Sequence, residues 1–354
     1  MTSAHGAEDD RIFIKECISL AKAGYEVYLV ERGESYDKSG VHIVGVGDIP
    51  ESRMKRMSEG SRIVYEKALS LDCDIYHFHD PELLPYGLKL KKHGKKVIFD
   101  SHEDVPAQIR DKKWIPQALR KTVASVYRSY ETHVARQIDA VIPATPHIAE
   151  NFAGRAKKIT VVNNFPKLDD IAFHDTPFAE RDAVVCYAGG ISEDRGEKIM
   201  LEAMEKIDGH LILAGDHEKQ EISCANGRGK VSYVGRLNRA GVNELYGKAV
   251  VGLCILKPIE NYFYSQPIKM YEYMAAGIPF VCCDFPVWRK VAEESRAGIC
   301  VDGSSLPQIA EAVNKLLQNR ELAEKMGRDG HEYVIRNCCW TNEEEKLLAL
   351  YADL

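Results

Sequence analysis

The chain has 354 residues, of which 45% are hydrophobic and 28% charged, the balance of a soluble globular protein long enough for about two domains. Its formal net charge of −6 argues against a general nucleic-acid-binding role. The longest apolar runs, 249–256 and 274–283, fall well short of the roughly 20 residues that span a bilayer, and no signal peptide is expected.

From the N-terminus, the segment MTSAHGAEDD reads as a loop containing Gly6, and 11–24 reads as the first helix. A doubly wound domain begins with a strand ahead of such a loop. Here the first strand is missing, so either the chain starts late or the sheet lacks it. Short apolar, β-branched runs then predict strands at 25–30, 41–46, 75–78, 96–99, 140–143 and 159–162, alternating with amphipathic helices. The segment 163–177, NNFPKLDDIAFHDTP, has two prolines and little periodicity and reads as a linker. Strands resume at 183–187, 210–214, 231–234, 250–256, 280–283 and 298–301, and helices follow at 307–317, 321–335 and 340–354. Twelve strands suit two parallel sheets of about six, each covered by helices. The expected division is 1–168 and 169–338, with 339–354 packing back toward the first domain.

Ten cysteines, Cys17, Cys73, Cys186, Cys224, Cys254, Cys282, Cys283, Cys300, Cys338 and Cys339, include no C-x-x-C pair. They read as buried thiols of a reducing compartment, so a cytoplasmic location is expected.

Candidate chemistry lies at strand ends. His77 and His79 share one face of a strand by its period of two, and Asp100-Ser101-His102-Glu103 ends the next strand. Open α/β sheets bind ligands at such ends. His79, Asp80, His102 and Glu103 do not have a usual metal-ligand spacing. Asp72-Cys73-Asp74 has the D-x-D form of a metal motif but precedes its strand. Between 107 and 137, seven Lys or Arg stand against two acidic residues, interleaved with Trp114, Ile115, Leu119 and Val123. This is either a solvated helix face or a peripheral contact with an anionic membrane.

In the second half, Tyr187-Ala188-Gly189-Gly190-Ile191 leads to Arg195-Gly196, and Tyr233-Val234-Gly235-Arg236-Leu237 follows a later strand. Glycines there let the backbone approach a diphosphate, and a base neutralises it. The segment 265–279, SQPIKMYEYMAAGIP, reads as a short helix. Ser265 or Gln266 is the expected cap, with Pro267 in the first turn and Gly277 at the end. Ile268 and Ala276, four residues either side of Glu272, are apolar, so the Glu272 carboxylate flanks a buried face and needs partners. Those are either two ribose hydroxyls or a neighbouring base such as Lys269.

This last segment resembles the donor-binding helix of retaining glycosyltransferases of family 4 (group 1 type), whose pattern is E-x7-E followed by A-x-G-x-P. Glu272, Ala275, Gly277 and Pro279 match its second half. Tyr264 stands where the first Glu belongs, and Glu260 is the nearest carboxylate upstream. The resemblance runs from Arg11 to Trp340. It implies a GT-B fold: two Rossmann-like doubly wound parallel-sheet domains facing across a cleft. It implies a hexosyltransferase-type enzyme of polysaccharide biosynthesis. Such an enzyme moves a sugar from a UDP- or GDP-type nucleotide sugar to a glycan or lipid-linked acceptor, with retention. Neither a metal nor a cofactor is implied.

By the same resemblance, Glu272 binds the ribose and His102 stands beside the transferred sugar as the second catalytic residue. Gly189, Gly190, Arg195, Gly235, Arg236, Ser265, Pro267 and Lys269 contribute to the donor site. Gly6, His79 and Glu103 face the acceptor. Asn163-Asn164 matches the hinge. Gly190 replaces the family's usual Arg, which leaves one base fewer for the diphosphate. An epimerase-like or non-catalytic protein of the same fold remains the alternative.

Overall fold

A computed structural model describes every residue except 7, 50–51, 113 and 218–229. Cys224 lies outside the described residues; the other nine cysteines are free thiols. The chain forms two compact units, Met1–Asn164 with Trp340–Leu354, and Phe165–Cys339. The fold class is α/β, with Rossmann-like sheets that are parallel except for the β2–β3 pair.

The first unit carries strands β1 (Val27–Glu31), β2 (Tyr36–Lys38), β3 (Val41–Gly45), β4 (Ile75–Phe78), β5 (Lys96–Ser101) and β6 (Ala140–Pro143). They form two three-stranded sheets, β1-β3-β2 and parallel β4-β5-β6, where one six-stranded sheet was expected. Among the described residues, Met1 and Thr2 pair between the facing edges of β1 and β4. Thr2 N donates to Val30 O at 3.0 Å, and His79 N donates to Met1 O at 3.4 Å. The terminal ammonium donates to His77 O at 2.7 Å. Beside them the two edges line a cavity of about 400 Å³.

Two further expectations are corrected. The segment 159–162 is not a ladder strand. It follows β6 through Val141 N to Lys158 O, Thr160 N to Val141 O and Val162 N to Pro143 O, leaving one isolated bridge. The short antiparallel β2 is fully exposed, so it carried no apolar signal. The first helix is wound as a π-helix over Asp10–Cys17 and continues as α-helix Ile18–Lys22. Asp9 caps it, accepting from Arg11 N and Ile12 N. The last helix, Trp340–Ala352, belongs to this unit, where Trp340 Nε1 donates to Ser19 Oγ.

The second unit is built on six parallel strands: β7 (Val184–Ala188), β8 (His210–Ala214), β9 (Val231–Tyr233), β10 (Ala249–Cys254), β11 (Phe280–Cys283) and β12 (Gly298–Val301). Their order is β12-β11-β10-β7-β8-β9. The near-continuous apolar β7, β10 and β11 are buried along their whole length, as strands covered on both faces must be. The order reverses direction between β7 and β10. That reversal leaves a crevice at their C-terminal ends, where such sheets take ligands.

Candidate functional site

The loops leaving β7, β8 and β9 meet at this crevice. Gly189 N donates to Ala214 O at 2.9 Å and Gly215 N to Gly235 O at 2.8 Å, so the three strand ends are laced together by backbone. The lacing requires glycine: a methyl group on Gly215 would lie 1.9 Å from Gly189 O. Tyr187 OH donates to Gly190 O at 2.8 Å and holds the turn. The exposed Arg195 guanidinium folds back over Gly190. Gly196 packs on the Ile255 carbonyl at the end of β10, where any side chain would clash. Arg236 is exposed and pairs with exposed Asp216 at 3.4 Å, a contact of little energetic weight.

The loop after β10 leads into helix Ile268–Ala275. Pro267 occupies the cap position, and no side chain caps the helix, which corrects the capping role expected of Ser265 or Gln266. Ser265 instead donates its hydroxyl to Tyr262 O and accepts Trp288 Nε1 at 2.8 Å. The loop is therefore pinned, and the first N–H groups of the helix have no side-chain acceptor. Those groups, with the dipole behind them, favour an anion.

Glu272 projects from the middle of this helix with its side chain 15% exposed. Its partner is not Lys269. Arg239 Nη1 binds Oε1 at 2.8 Å and Tyr246 OH donates to Oε2 at 3.1 Å. Lys269 is left for another use. Its Nζ stands 4.0 Å from the Tyr187 ring centroid, in the space beside Gly189. Helix N-terminus, Lys269, Arg195 and the Gly189-Gly190 turn thus concentrate positive potential at the end of β7. Tyr264, in the place of the family's first Glu, is exposed at the C-terminus of helix Glu260–Phe263.

In the first unit, β4 and β5 pair so that Phe78 lies opposite Phe99, which brings His79 beside Asp100. Asp100 is fully buried and receives Arg11 Nε at 3.2 Å and Nη2 at 2.8 Å. Burial alone would raise its carboxyl. Arg11, His102 and His77 outweigh that and hold it well below the usual range. His102 Nε2 lies 3.3 Å from Asp100 Oδ1 and 3.3 Å from His79 Nδ1. Burial pushes the His102 imidazole down to about 4 against the pull of Asp100, so it is neutral at physiological pH. Its side chain remains 19% exposed.

His79 is buried and faces this polar cluster instead of solvent. Asp80 is consumed by the N-terminal loop, accepting Thr2 Oγ1 at 2.7 Å and Ser3 N at 2.6 Å. Glu103 is exposed and bonds Gln108 Nε2. Gly6 lies in the loop before the first helix, its carbonyl accepting Asp9 N at 3.1 Å. Asn164 accepts Lys15 Nζ at 2.6 Å, and Asn163 N donates to Glu343.

Sequence reading missed Arg239 as the base facing Glu272. It also missed the set Arg11, Glu16, His77 and Asp100. The available signal for the latter was the cluster of charges Arg11, Lys15 and Glu16 among the apolar residues of the first helix.

Comparison with known proteins follows the two units. The family described as Glycosyltransferase Family 4 matches residues 15–169, and that described as Glycosyl transferases group 1 matches 169–333. Alpha-D-kanosaminyltransferase of Streptomyces kanamyceticus is 22% identical over 247 residues, 63% of each chain. The matches span about half to three-fifths of the length of the first curated relatives. Sucrose-phosphate synthase from Thermosynechococcus elongatus superimposes with a TM-score of 0.75 at 18% identity, covering 95% of this chain and 91% of that one. Anabaena Alr3699/HepE in complex with UDP gives 0.74 at 12% identity, covering 100% and 98%. At these identities the superpositions establish the fold.

Proposed function

Since the chain belongs to glycosyltransferase family 4, group 1, we propose that it transfers a sugar, with retention, from a UDP- or GDP-type nucleotide sugar to a glycan or lipid-linked acceptor. The observation that carries this reading is the pairing of an anion-favouring helix N-terminus with a carboxylate one turn further on. The Ile268 end of the helix, Lys269 and Arg195 receive the diphosphate. Glu272, held by Arg239 and Tyr246, accepts the ribose hydroxyls. Stabilising the charge that develops on the departing diphosphate is a main lever on such a reaction, and these cationic groups supply it without a metal at the phosphates. His102, neutral and still partly open, can donate or accept one hydrogen bond to the sugar. The relative in complex with UDP supports a uridine donor as the first to try. Incubation with a panel of nucleotide sugars and an acceptor extract tests the reading. Release of nucleoside diphosphate coupled to acceptor glycosylation is expected; binding without release would favour the non-catalytic alternative that Tyr264 motivates.

The acceptor reading has its own support. Helix Gln117–Ala135 exposes Leu119, Val123, Val126 and Tyr130, spaced i, i+4, i+7 and i+11 on one face, with exposed Trp114 just before it. Flanking Lys and Arg make this face suited to lie on an anionic bilayer, at the inner side of the cytoplasmic membrane, where a lipid-linked acceptor is met. No helix among the described residues is long and apolar enough to cross a membrane. Sedimentation with vesicles containing phosphatidylglycerol, absent with phosphatidylcholine alone and lost in Val126→Glu, is the expected result.

A further inference from the structure

The polar cluster of the first unit has the composition and outer support of a metal centre, which the transfer reaction does not use. We propose that Glu16, His77, His79 and Asp100 hold a divalent transition-metal ion, with Zn²⁺ the best fit. One ligand atom from each residue lies within 4.8 Å of the others. His77 Nε2 is 3.6 Å from Asp100 Oδ2 and 4.0 Å from Glu16 Oε2, and His79 Nε2 is 3.8 Å from Glu16 Oε2. Tetrahedral Zn²⁺ with bonds of about 2.0–2.1 Å needs ligand atoms roughly 3.4 Å apart. Closing the site shortens these three separations by about 0.2–0.6 Å and no ligand pair by more than about 1.4 Å.

Three observations point to a cation. First, Glu16 Oε2 and His77 Nε2 are buried without a hydrogen-bond partner among the described residues, while Glu16 Oε1 has Arg11 Nε at 3.0 Å. Buried polar atoms are rarely left so. Second, the outer face of each remaining ligand is already held. His77 Nδ1 meets Tyr351 OH at 3.0 Å, His79 Nδ1 meets His102 Nε2 at 3.3 Å, and Asp100 is gripped by Arg11. For the two histidines this is the arrangement that fixes the free imidazole nitrogen toward a metal, while Arg11 reaches both Asp100 oxygens. Third, Glu16, His77 and His79 line the cavity between β1 and β4, which gives an ion a path to the cluster. Two imidazoles with two carboxylates favour Zn²⁺ over Mg²⁺ or Ca²⁺. The set shares only His79 with the metal grouping weighed on sequence spacing, because Asp80 is taken by the N-terminal loop. These ligands all belong to the first unit, whereas the residues proposed for the diphosphate belong to the second.

The test uses the untagged full chain, stripped with a chelator, dialysed against Zn²⁺ and measured by elemental analysis and titration calorimetry, with Co²⁺ as an optical probe. The expected outcome is one ion per chain and the intense visible absorption of four-coordinate Co²⁺. Affinity should fall at least 100-fold in Glu16→Gln, fall about tenfold in the outer-sphere variant Tyr351→Phe, and stay unchanged in His93→Ala, an exposed control. If Glu16→Gln does not fold, the Co²⁺ spectrum of the wild-type chain and the Tyr351→Phe titration still decide. Stoichiometry below one-tenth, an aqua-like Co²⁺ spectrum, or wild-type affinity in folded Glu16→Gln would overturn the proposal and leave a shared proton as the occupant.

Discussion

Glu272→Ala is the sharpest perturbation of the donor site. In the structure its two oxygens are held apart by Arg239 and Tyr246, which orients the lone pairs without exhausting them. Two ribose hydroxyls donating to this carboxylate contribute about 1.5–3 kcal/mol each, as hydrogen bonds to a charged group. Part of that is spent on displacing water and on competing with Arg239, which is 43% exposed and easily resolvated. A net loss of about 3 kcal/mol, or roughly 150-fold in Kd, is therefore expected for the nucleoside diphosphate. The same change orphans the fully buried Tyr246 hydroxyl, which costs about 1–3 kcal/mol of stability. Glu272→Gln keeps an acceptor for Tyr246 and should bind about tenfold more weakly than wild type while melting near it. Calorimetric titration with UDP and GDP, beside a thermal melt of each variant, separates the two effects. Binding of the better nucleotide by folded Glu272→Ala within twofold of wild type would refute the ribose role.

Three further outcomes are expected. Lys269→Ala should weaken UDP or GDP binding about tenfold while leaving the corresponding nucleoside unchanged, because Nζ stands beside the Gly189 turn and not beside Glu272; titration with both ligands checks this. Gly215→Ala should cost roughly 3 kcal/mol or more, since its methyl group meets Gly189 O at 1.9 Å and its φ is +142°; chemical denaturation measures the loss. Burial raises the Glu131 carboxyl to about 7, against the opposing Tyr127 hydroxyl. Its folded value exceeds its unfolded one, so its stability contribution is whole at acid pH and is lost as pH rises through 7. A shift of that size corresponds to about 3 kcal/mol, so Glu131→Gln should gain on wild type by about that amount between pH 4 and pH 8, read from urea midpoints.

The sheet of the second unit was legible because β7, β10 and β11 are covered on both faces, and only continuous apolar runs survive there. The first unit was harder for the opposite reason. β2 is exposed and carried no apolar signal, while the apolar run 159–162 predicted a strand that follows β6 without completing a ladder. Site residues divided in the same way. Glu272, Gly189 and Gly277 lie in contiguous patterns whose geometry is local: a helix with a glycine end and a strand followed by a tight turn. Arg239 lies 33 residues from Glu272 in sequence and Arg11 lies 89 from Asp100. No local pattern encodes such pairings; only the order of the strands does.

That distinction bears on what each carboxylate can do. Glu272 keeps a 15% exposed side chain with one exposed cationic partner, so an incoming hydroxyl can share it at the cost of one solvated ion pair. Asp100 is fully buried and bound twice by a buried guanidinium, so a substrate could reach it only by breaking a pair whose loss costs several kcal/mol. The same hydrogen-bonding chemistry thus leaves Glu272 accessible to a substrate hydroxyl and makes Asp100 a brace for His102. His102 owes its position to that brace: with Asp100 fixed by Arg11, the imidazole at 3.3 Å is held at the mouth of the cluster. There it is the most solvent-exposed ring of the His77, His79, His102 group, as the sugar contact proposed for it requires.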